Sequence, residues 1–198
     1  MFVTFEGVDG SGKTTQARLL AERLRAEGRD VVHTREPGGT ELGERLRDLV
    51  LHGGHVTPWA EALMYAASRA QHVDEVIRPA LERGASVVCD RYLDSSVAYQ
   101  GVGRGLGVAE IEQLNAVATG GLEPDLVIVL DVAPDEAASR QRGARDRLEQ
   151  EDDAFHDAVH GAYRDLARAR GWRVVDASGT IDDVAEAVWA TVTEVLEP

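Results

Sequence analysis

Apolar residues occur along this chain in short continuous runs, separated by longer stretches in which apolar and polar residues alternate with helical spacing. Continuous apolar runs of this length are typical of strands covered on both faces of a sheet. The five predicted strands are FVTFEG (2–7), DVVHT (30–34), ASVVCD (85–90), DLVIVLD (125–131) and WRVVDA (172–177).

The stretches between these runs predict helices over residues 13–27, 40–51, 59–83 and about 151–170, one opened by Pro134, and one at the C-terminus. Gly28 ends the first of them, and glycine is the common residue after a helix. Alternation of strand and helix predicts an α/β fold with three layers, in which a five-stranded parallel sheet lies between helices. Ligands of such folds bind outside the carboxyl ends of the strands.

Composition narrows the class of protein. The 198 residues suit a single domain over 1–198, and hydrophobic and charged contents of 43% and 28% are ordinary for a globular protein. A formal net charge of −14 disfavours general binding to nucleic acid. The chain has no apolar run of the length that spans a membrane, no signal-peptide pattern and one cysteine, Cys89. We therefore expect a cytoplasmic protein with small-molecule ligands, no nucleic acid and no membrane.

A glycine-rich motif follows the first predicted strand and opens the first predicted helix. Its residues are Gly7, Val8, Asp9, Gly10, Ser11, Gly12, Lys13 and Thr14, which match GxxxxGK[ST]. Lys13 is the only lysine in the chain, and a compact ammonium on a flexible stem suits this position better than a planar guanidinium. Backbone amides of such a loop surround phosphates, the lysine reaches the β- and γ-phosphates, and the Thr14 hydroxyl can ligate Mg²⁺. The motif predicts a P-loop NTPase fold and a nucleoside triphosphate site.

Several P-loop classes do not fit the chain. An NKxD motif for guanine needs a second lysine, and no LSGGQ-like stretch of a transporter ATPase is present. A small kinase is favoured, and a nucleotide-dependent switch that acts through a partner remains the competing class.

Three further segments resemble bacterial thymidylate kinases, over a region from the first strand to the last helix. They are TREPGGT (34–40), EALMYAASRAQH (61–72) and DRYLDSSVAYQG (90–101). The resemblance implies transfer of the γ-phosphoryl group of ATP to dTMP, dependence on Mg²⁺, and a homodimer. Another nucleoside monophosphate kinase or a deoxynucleoside kinase is the alternative within this class.

The donor side is expected to bind ATP through the loop and a lid arginine, with Mg²⁺ near a strand end. The ATP-binding residues are Gly7, Val8, Asp9, Gly10, Ser11, Gly12, Lys13, Thr14, Thr15 and Arg140. Asp90 ends a predicted strand, so its carboxylate and the Thr14 hydroxyl are the predicted metal site.

The acceptor side is assigned mainly by the resemblance. Arg91 is predicted to clamp the acceptor phosphate, which suits a guanidinium. Tyr65 and Arg69 lie four residues apart on one helix face. The resemblance implies that Tyr65 stacks on thymine and that Arg69 donates to its O4 atom. The other implied contacts are Ser96 and Gln100 to the base, Tyr99 against a ribose 2′-hydroxyl, Asp9 to the 3′-hydroxyl, and Arg35, Glu36 and Pro37 beside the phosphate.

An arginine-rich stretch, residues 139–152, is predicted to form a short lid. It carries Arg140, Arg142, Arg145 and Arg147. A solvated charge run is the ordinary interpretation of such density, but a kinase needs mobile cations that close over the transferring group. In the family that the chain resembles, the catalytic arginine comes either from the loop or from the lid. The variable loop positions 8–11 contain no base, so the resemblance implies the type with lid arginines. The predicted catalytic residues are Lys13, Arg91, Arg142 and Arg147.

Overall fold

Five parallel strands form one sheet in the order β2-β3-β1-β4-β5. The computed structural model describes residues 1–141 and 145–196. The strands are β1 (Phe2–Glu6), β2 (Val31–Arg35), β3 (Ser86–Asp90), β4 (Leu126–Asp131) and β5 (Arg173–Asp176). Each coincides with a predicted run, and β2 extends one residue beyond its run. The predicted five-stranded parallel α/β fold is confirmed.

Helices connect successive strands, and one more helix follows the last strand. They are α1 (Lys13–Ala26), α2 (Glu41–His52), α3 (Pro58–His72), α4 (Arg78–Glu82), α5 (Leu93–Ser96), α6 (Val108–Thr119), α7 (Pro134–Arg140), α8 (Asp153–Arg170) and α9 (Ile181–Leu196). A π-helical segment, Val73–Ile77, joins α3 to α4, and a second one, Val97–Gly103, continues α5. The predicted helix 59–83 is thus one continuous helical stretch, whereas the sequence analysis assigned no helix to α6.

The core lies on both faces of the sheet. Side chains of β1 such as Phe5 pack with α1 and α9 on one face. On the other face, Val127 and Val129 of β4 pack with Tyr163 of α8 and with the second π-helical segment. These two apolar layers explain the continuous burial of β1 and β3 and of most of β4. No helix within the described residues is both long and apolar enough to cross a membrane.

The register of the sheet brings the carboxyl ends of three strands to one level. Phe5 in β1 lies opposite Asp90 in β3, and Arg35 in β2 lies on the other side of Asp90. The loops after β1, β2 and β3 therefore start from one edge of the sheet, where the candidate site is found.

Candidate active site

The loop between β1 and α1 has the backbone that its glycines permit. Gly10 and Gly12 have positive φ angles of 82° and 94°. A Cβ atom on Gly10 would lie 2.1 Å from the carbonyl oxygen of Ala137, so only glycine fits there. Lys13 Nζ donates to Val8 O at 2.6 Å, which curls the side chain over the loop. Burial and the positive charge of Arg91 lower the pKa of Lys13 to about 8.

The predicted metal residues meet at this loop. The Thr14 hydroxyl donates to Asp90 Oδ2. Asp90 Oδ1 is buried and has no hydrogen-bond partner among the described residues. An unpaired carboxylate oxygen beside a hydroxyl is an oxygen donor set of the kind that Mg²⁺ prefers. These two residues fit the predicted metal.

Two cavities meet beside the loop. The first, here called the P-loop cleft, has a volume of about 730 Å³ and is lined by residues 9–16 together with Arg140, Ala177, Thr180 and others. The second, here called the acceptor cavity, lies between α2, α3 and the α5 region. Asp9, Glu36, Arg47 and Arg91 line both cavities. Anything bound in one cavity is therefore next to anything bound in the other.

Arg91 lies at the junction of the two cavities. Its φ angle is 66°, the one positive value found at a non-glycine residue in the described chain, and strained backbone of this kind concentrates at functional sites. Its guanidinium donates to Gly7 O at 3.2 Å, to Ser95 Oγ at 3.1 Å and to Asp9 Oδ1. The chain thus fixes a cation at the junction of the two cavities.

Asp9 is the partner of this cation. It also accepts a hydrogen bond from the Tyr99 hydroxyl at 2.8 Å. Burial on its own would raise the pKa of Asp9, but the charges of Arg91 and Lys13 and the bond from Tyr99 outweigh burial and lower the pKa to about 2. Asp9 is consequently ionised at neutral pH and accepts hydrogen bonds from both sides of the junction.

Arg69 is buried at the far end of the acceptor cavity, 2% exposed. Its Nε donates to Glu36 at 2.7 Å, and its Nη1 donates to Asn115 at 2.7 Å and Ser96 at 3.2 Å. Its Nη2 donates to Tyr92 O at 3.0 Å. A guanidinium has five N–H groups, so the described residues leave one on Nη2. Held in this way, Arg69 can donate to a carbonyl oxygen in the cavity and cannot accept from an amino group.

The structure brings most of the predicted acceptor residues into one cavity. Its lining includes Asp9, Glu36, Pro37, Tyr65, Arg69, Arg91, Ser96, Tyr99 and Gln100. Arg35 instead lines the P-loop cleft and pairs with Glu44 at 2.8 Å. Arg140 also lines that cleft, where it donates to Ala177 O at 2.9 Å.

Only one of the two lid arginines predicted to be catalytic lies within the described residues. Arg142 lies outside the described residues. Arg147 is described, and its Nε donates to Val50 O at 2.9 Å while its Nη2 donates to Glu61 at 2.6 Å. Both contacts lie on the acceptor side and not in the P-loop cleft. The catalytic roles of Arg142 and Arg147 stay predictions.

Several further residues of the site were not predicted from the sequence. Arg47, Leu51, Tyr92, Ser95, Asp146 and Leu148 also line the acceptor cavity. Behind this wall, the fully buried Glu6 accepts from Ser95 Oγ at 2.6 Å and from the Tyr92 backbone N–H at 2.8 Å. Burial raises the pKa of Glu6. A charged residue at the end of an apolar strand, directly before the glycine loop, was the signal in the sequence.

Together, the loop from β1 to α1, Lys13 at the start of α1 and the parallel sheet define a P-loop NTPase fold. The second cavity, joined to the loop at Asp9 and Arg91, distinguishes this protein from an enzyme with a nucleotide site alone. A site for a second, anionic ligand next to a triphosphate site is the arrangement of a small phosphotransferase.

Comparison with known proteins agrees with this class. A family model described as thymidylate kinase matches residues 5–188. The chain is 54% identical over 194 residues to the thymidylate kinase of Synechococcus sp. (strain JA-3-3Ab), covering 97% of this chain and 95% of the relative. It is 51% identical over 199 residues to that of Deinococcus radiodurans, covering 98% and 97%.

A solved structure shares the fold as well. The crystal structure of thymidylate kinase from Ehrlichia chaffeensis superposes with a TM-score of 0.82 and 34% sequence identity, covering 97% of this chain and 98% of that one. This chain belongs to the thymidylate kinase family.

Proposed function

We propose that phosphoryl transfer takes place where the two cavities meet, at Asp9 and Arg91. The chain, as a member of the thymidylate kinase family, transfers the γ-phosphoryl group of ATP to dTMP and so produces ADP and dTDP. The observation that carries the proposed location is that Asp9 and Arg91 line both cavities and bond to each other. ATP on the loop and dTMP in the acceptor cavity would then meet with their phosphates at Arg91.

The donor half of the site follows from the loop. Amides of residues 9–15 and Lys13 would hold the triphosphate, and Arg140 would approach it from beside Ala177. Thr14 and Asp90 would hold Mg²⁺. When bound, Mg²⁺ supplies positive charge that neutralises the phosphate oxygens.

The acceptor half recognises a pyrimidine with a carbonyl at position 4. Tyr65 would stack on the base, Ser96 and Gln100 would contact its edge, and Arg69 would donate its remaining N–H to O4. Asp9 would receive the 3′-hydroxyl, and Tyr99 would exclude a 2′-hydroxyl. Arg35, Glu36 and Pro37 would border the phosphate.

The reaction needs alignment more than covalent chemistry. An oxygen of the dTMP phosphate attacks the γ-phosphorus, the bond from that phosphorus to the β–γ bridging oxygen breaks, and ADP leaves with the electron pair. The attacking phosphate is already an anion, so no general base is required. Lys13 and Arg91 stabilise the charge that spreads over the transferring group. Turnover of Arg142→Ala and Arg147→Ala measures what each of these lid arginines adds to this stabilisation.

A panel of acceptors tests the function. Purified protein with ATP and Mg²⁺ is assayed for ADP with each nucleoside monophosphate in turn. We expect dTMP to accelerate ADP formation far more than dCMP, dAMP or dGMP, and Arg69→Ala to lose about two orders of magnitude in kcat/KM for dTMP, since a buried donor to the base is removed. ATP turnover that ignores every monophosphate, with Arg69→Ala unaltered, would instead favour the nucleotide switch.

We also propose that the chain forms a homodimer through α2 and α3. These helices pack together and expose four large apolar side chains, Leu42, Leu49, Trp59 and Leu63, which are 44–53% exposed. Leu42 and Leu49 share one face of α2, and Trp59 and Leu63 share one face of α3. Exposed apolar patches of this kind mark interaction surfaces. The cytoplasmic location stays a prediction.

Sedimentation velocity tests the dimer. We expect wild-type protein at twice the 21.4 kDa mass of the chain, and Leu49→Glu or Leu63→Glu to give monomer because a charge would be buried in the interface. Val174→Glu, at an apolar residue exposed on β5, is the matched control and should leave the dimer intact. A wild-type monomer at micromolar concentration would contradict this surface.

A further inference from the structure

Glu61 of α3 is fully buried, and its carboxylate is surrounded by donors of three residues from two separate parts of the chain. Oε1 accepts from Gln100 Nε2 at 2.7 Å and from Arg104 Nε at 3.2 Å. Oε2 accepts from Arg104 Nη2 at 3.0 Å and from Arg147 Nη2 at 2.6 Å. Neither the loop motif nor the proposed chemistry uses this carboxylate.

Glu61 fixes the orientation of the Gln100 side-chain amide. An ionised carboxylate accepts hydrogen bonds and donates none, so it must face the amide nitrogen of Gln100. The carbonyl oxygen is the atom then left for a ligand in the acceptor cavity, which Gln100 lines. A carbonyl oxygen complements the N3–H of thymine or uracil and opposes the unprotonated N3 of cytosine.

Glu61 also anchors the segment of residues 145–152. Arg147 joins this segment to Glu61, and its backbone N–H donates to Leu51 O at 3.1 Å. Glu151 pairs with Arg104 at 2.7 Å. Asp146 and Leu148 of the same segment form part of the cavity wall. One carboxylate therefore holds both a residue that faces the base and the segment that covers the cavity.

The acceptor cavity is small. Its volume is about 90 Å³, whereas ligand pockets usually exceed roughly 300 Å³. Binding of a nucleoside there therefore requires part of the wall to move. The 145–152 segment is the part of that wall that Arg147 holds to Glu61 through its side chain and to Val50 O and Leu51 O of α2.

We propose that Glu61 is a positioning residue that sets the amide of Gln100 for thymine and ties the 145–152 segment over the bound acceptor. This inference rests on the proposed function, because it assigns the acceptor cavity to dTMP. Because Arg147 joins the segment to Glu61, the proposal couples binding of dTMP in the cavity to docking of the 145–152 segment.

Two substitutions separate the two effects. Each carboxylate oxygen of Glu61 accepts two N–H groups, so in Glu61→Gln the new NH₂ group must face two of the four donors. Gln100 is the donor that can relieve this by inverting its amide. Inversion turns an NH₂ group toward the base. We expect kcat/KM for dTMP to fall about tenfold while that for dCMP does not fall, since a donor now opposes N3–H. In Arg147→Met the Gln100 amide keeps its orientation, and dTMP should leave about tenfold faster.

The measurements are steady-state assays with dTMP and dCMP, and a stopped-flow chase of a fluorescent dTMP analogue by excess dTMP. Glu186→Gln is the matched control, because it removes an exposed carboxylate of α9 that pairs with Arg23 and leaves every contact of Glu61 and of the 145–152 segment in place. Its base preference and release rate should stay within about twofold of wild type. Thermal unfolding establishes that each variant is folded. If Glu61→Gln does not fold, the rate of dTMP release from Arg147→Met tests the inference.

The inference is overturned if folded Glu61→Gln loses dTMP and dCMP activity by the same factor, or if Arg147→Met releases dTMP at the wild-type rate. Wild-type protein that neither binds nor phosphorylates dTMP would instead overturn the proposed function. The two failures are therefore distinguishable.

Discussion

At the scale of single residues, two buried carboxylates hold side chains that line the acceptor cavity in place through hydrogen bonds. Glu6 holds Ser95 and Tyr92, and Ser95 in turn receives a bond from Arg91. Glu61 does the same for Gln100 and Arg147. Each lies outside direct contact with the junction of the cavities, yet each sets the direction of a side chain that lines the acceptor cavity.

Glu6 gives a prediction for stability against pH. Because burial raises its pKa in the folded protein, the folded state keeps a proton that the unfolded state loses from about pH 4 upward. Stability contributed by the neutral carboxyl is present at low pH and is lost as pH rises through the folded pKa. Glu6→Gln does not titrate, so its free energy of unfolding should rise relative to wild type as pH increases.

Urea unfolding of both proteins at a series of pH values measures this difference. Glu41→Gln, at a residue 83% exposed and paired with Arg45, is the matched control and should give a curve parallel to that of wild type. If the curve for Glu6→Gln were also parallel to that of wild type, Glu6 would be ionised in the folded protein over the whole pH range measured.

The sequence could assign residues that line the two cavities but not the residues that position them. Lys13 and Thr14 belong to a local motif, and Tyr65 and Arg69 lie on one turn of one helix. Glu6 depends on Ser95 and Tyr163, which are remote in sequence. A buried carboxylate looks like any polar residue until its partners are known.

At the scale of elements, α6 is a helix that the pattern of apolar residues did not predict. Its buried residues are Ile111, Asn115 and Thr119, so two of the three positions on the inner face are polar. Asn115 accepts from Arg69 and donates to Leu93 O, while the backbone oxygen of Thr119 accepts from Arg78. A helix that buries hydrogen-bonding groups gives a weak apolar pattern, and the sequence analysis missed it.

The second π-helical segment packs closely on α8, and two glycines test this contact. A Cβ atom on Gly103 would lie 2.7 Å from the Phe155 ring, whereas one on Gly161 of α8 would contact nothing. Gly103→Ala should cost about 1–3 kcal/mol of unfolding free energy through overpacking. Gly161→Ala should add about 0.5–1 kcal/mol, because alanine favours a helix. Equal effects of both changes in urea unfolding would contradict the close contact.

At the scale of the whole molecule, strand order decides what the site can do. Alternating runs predicted the parallel sheet and its two helical layers, but periodicity does not reveal which strands are neighbours. The order β2-β3-β1-β4-β5 puts β3 beside β1, so that Asp90 and Arg91 reach the glycine loop. From that adjacency come both the Thr14–Asp90 contact and the Arg91–Asp9 pair.

The central claim is that two nucleotides bind with their phosphates meeting at Asp9 and Arg91. Calorimetric titration with a bisubstrate analogue, in which a phosphate chain joins the 5′ oxygens of adenosine and thymidine, tests it most directly. The account predicts one analogue per chain, displaced by ATP and by dTMP separately. An analogue displaced by ATP alone, with dTMP still able to bind beside it, would contradict the meeting of the two cavities.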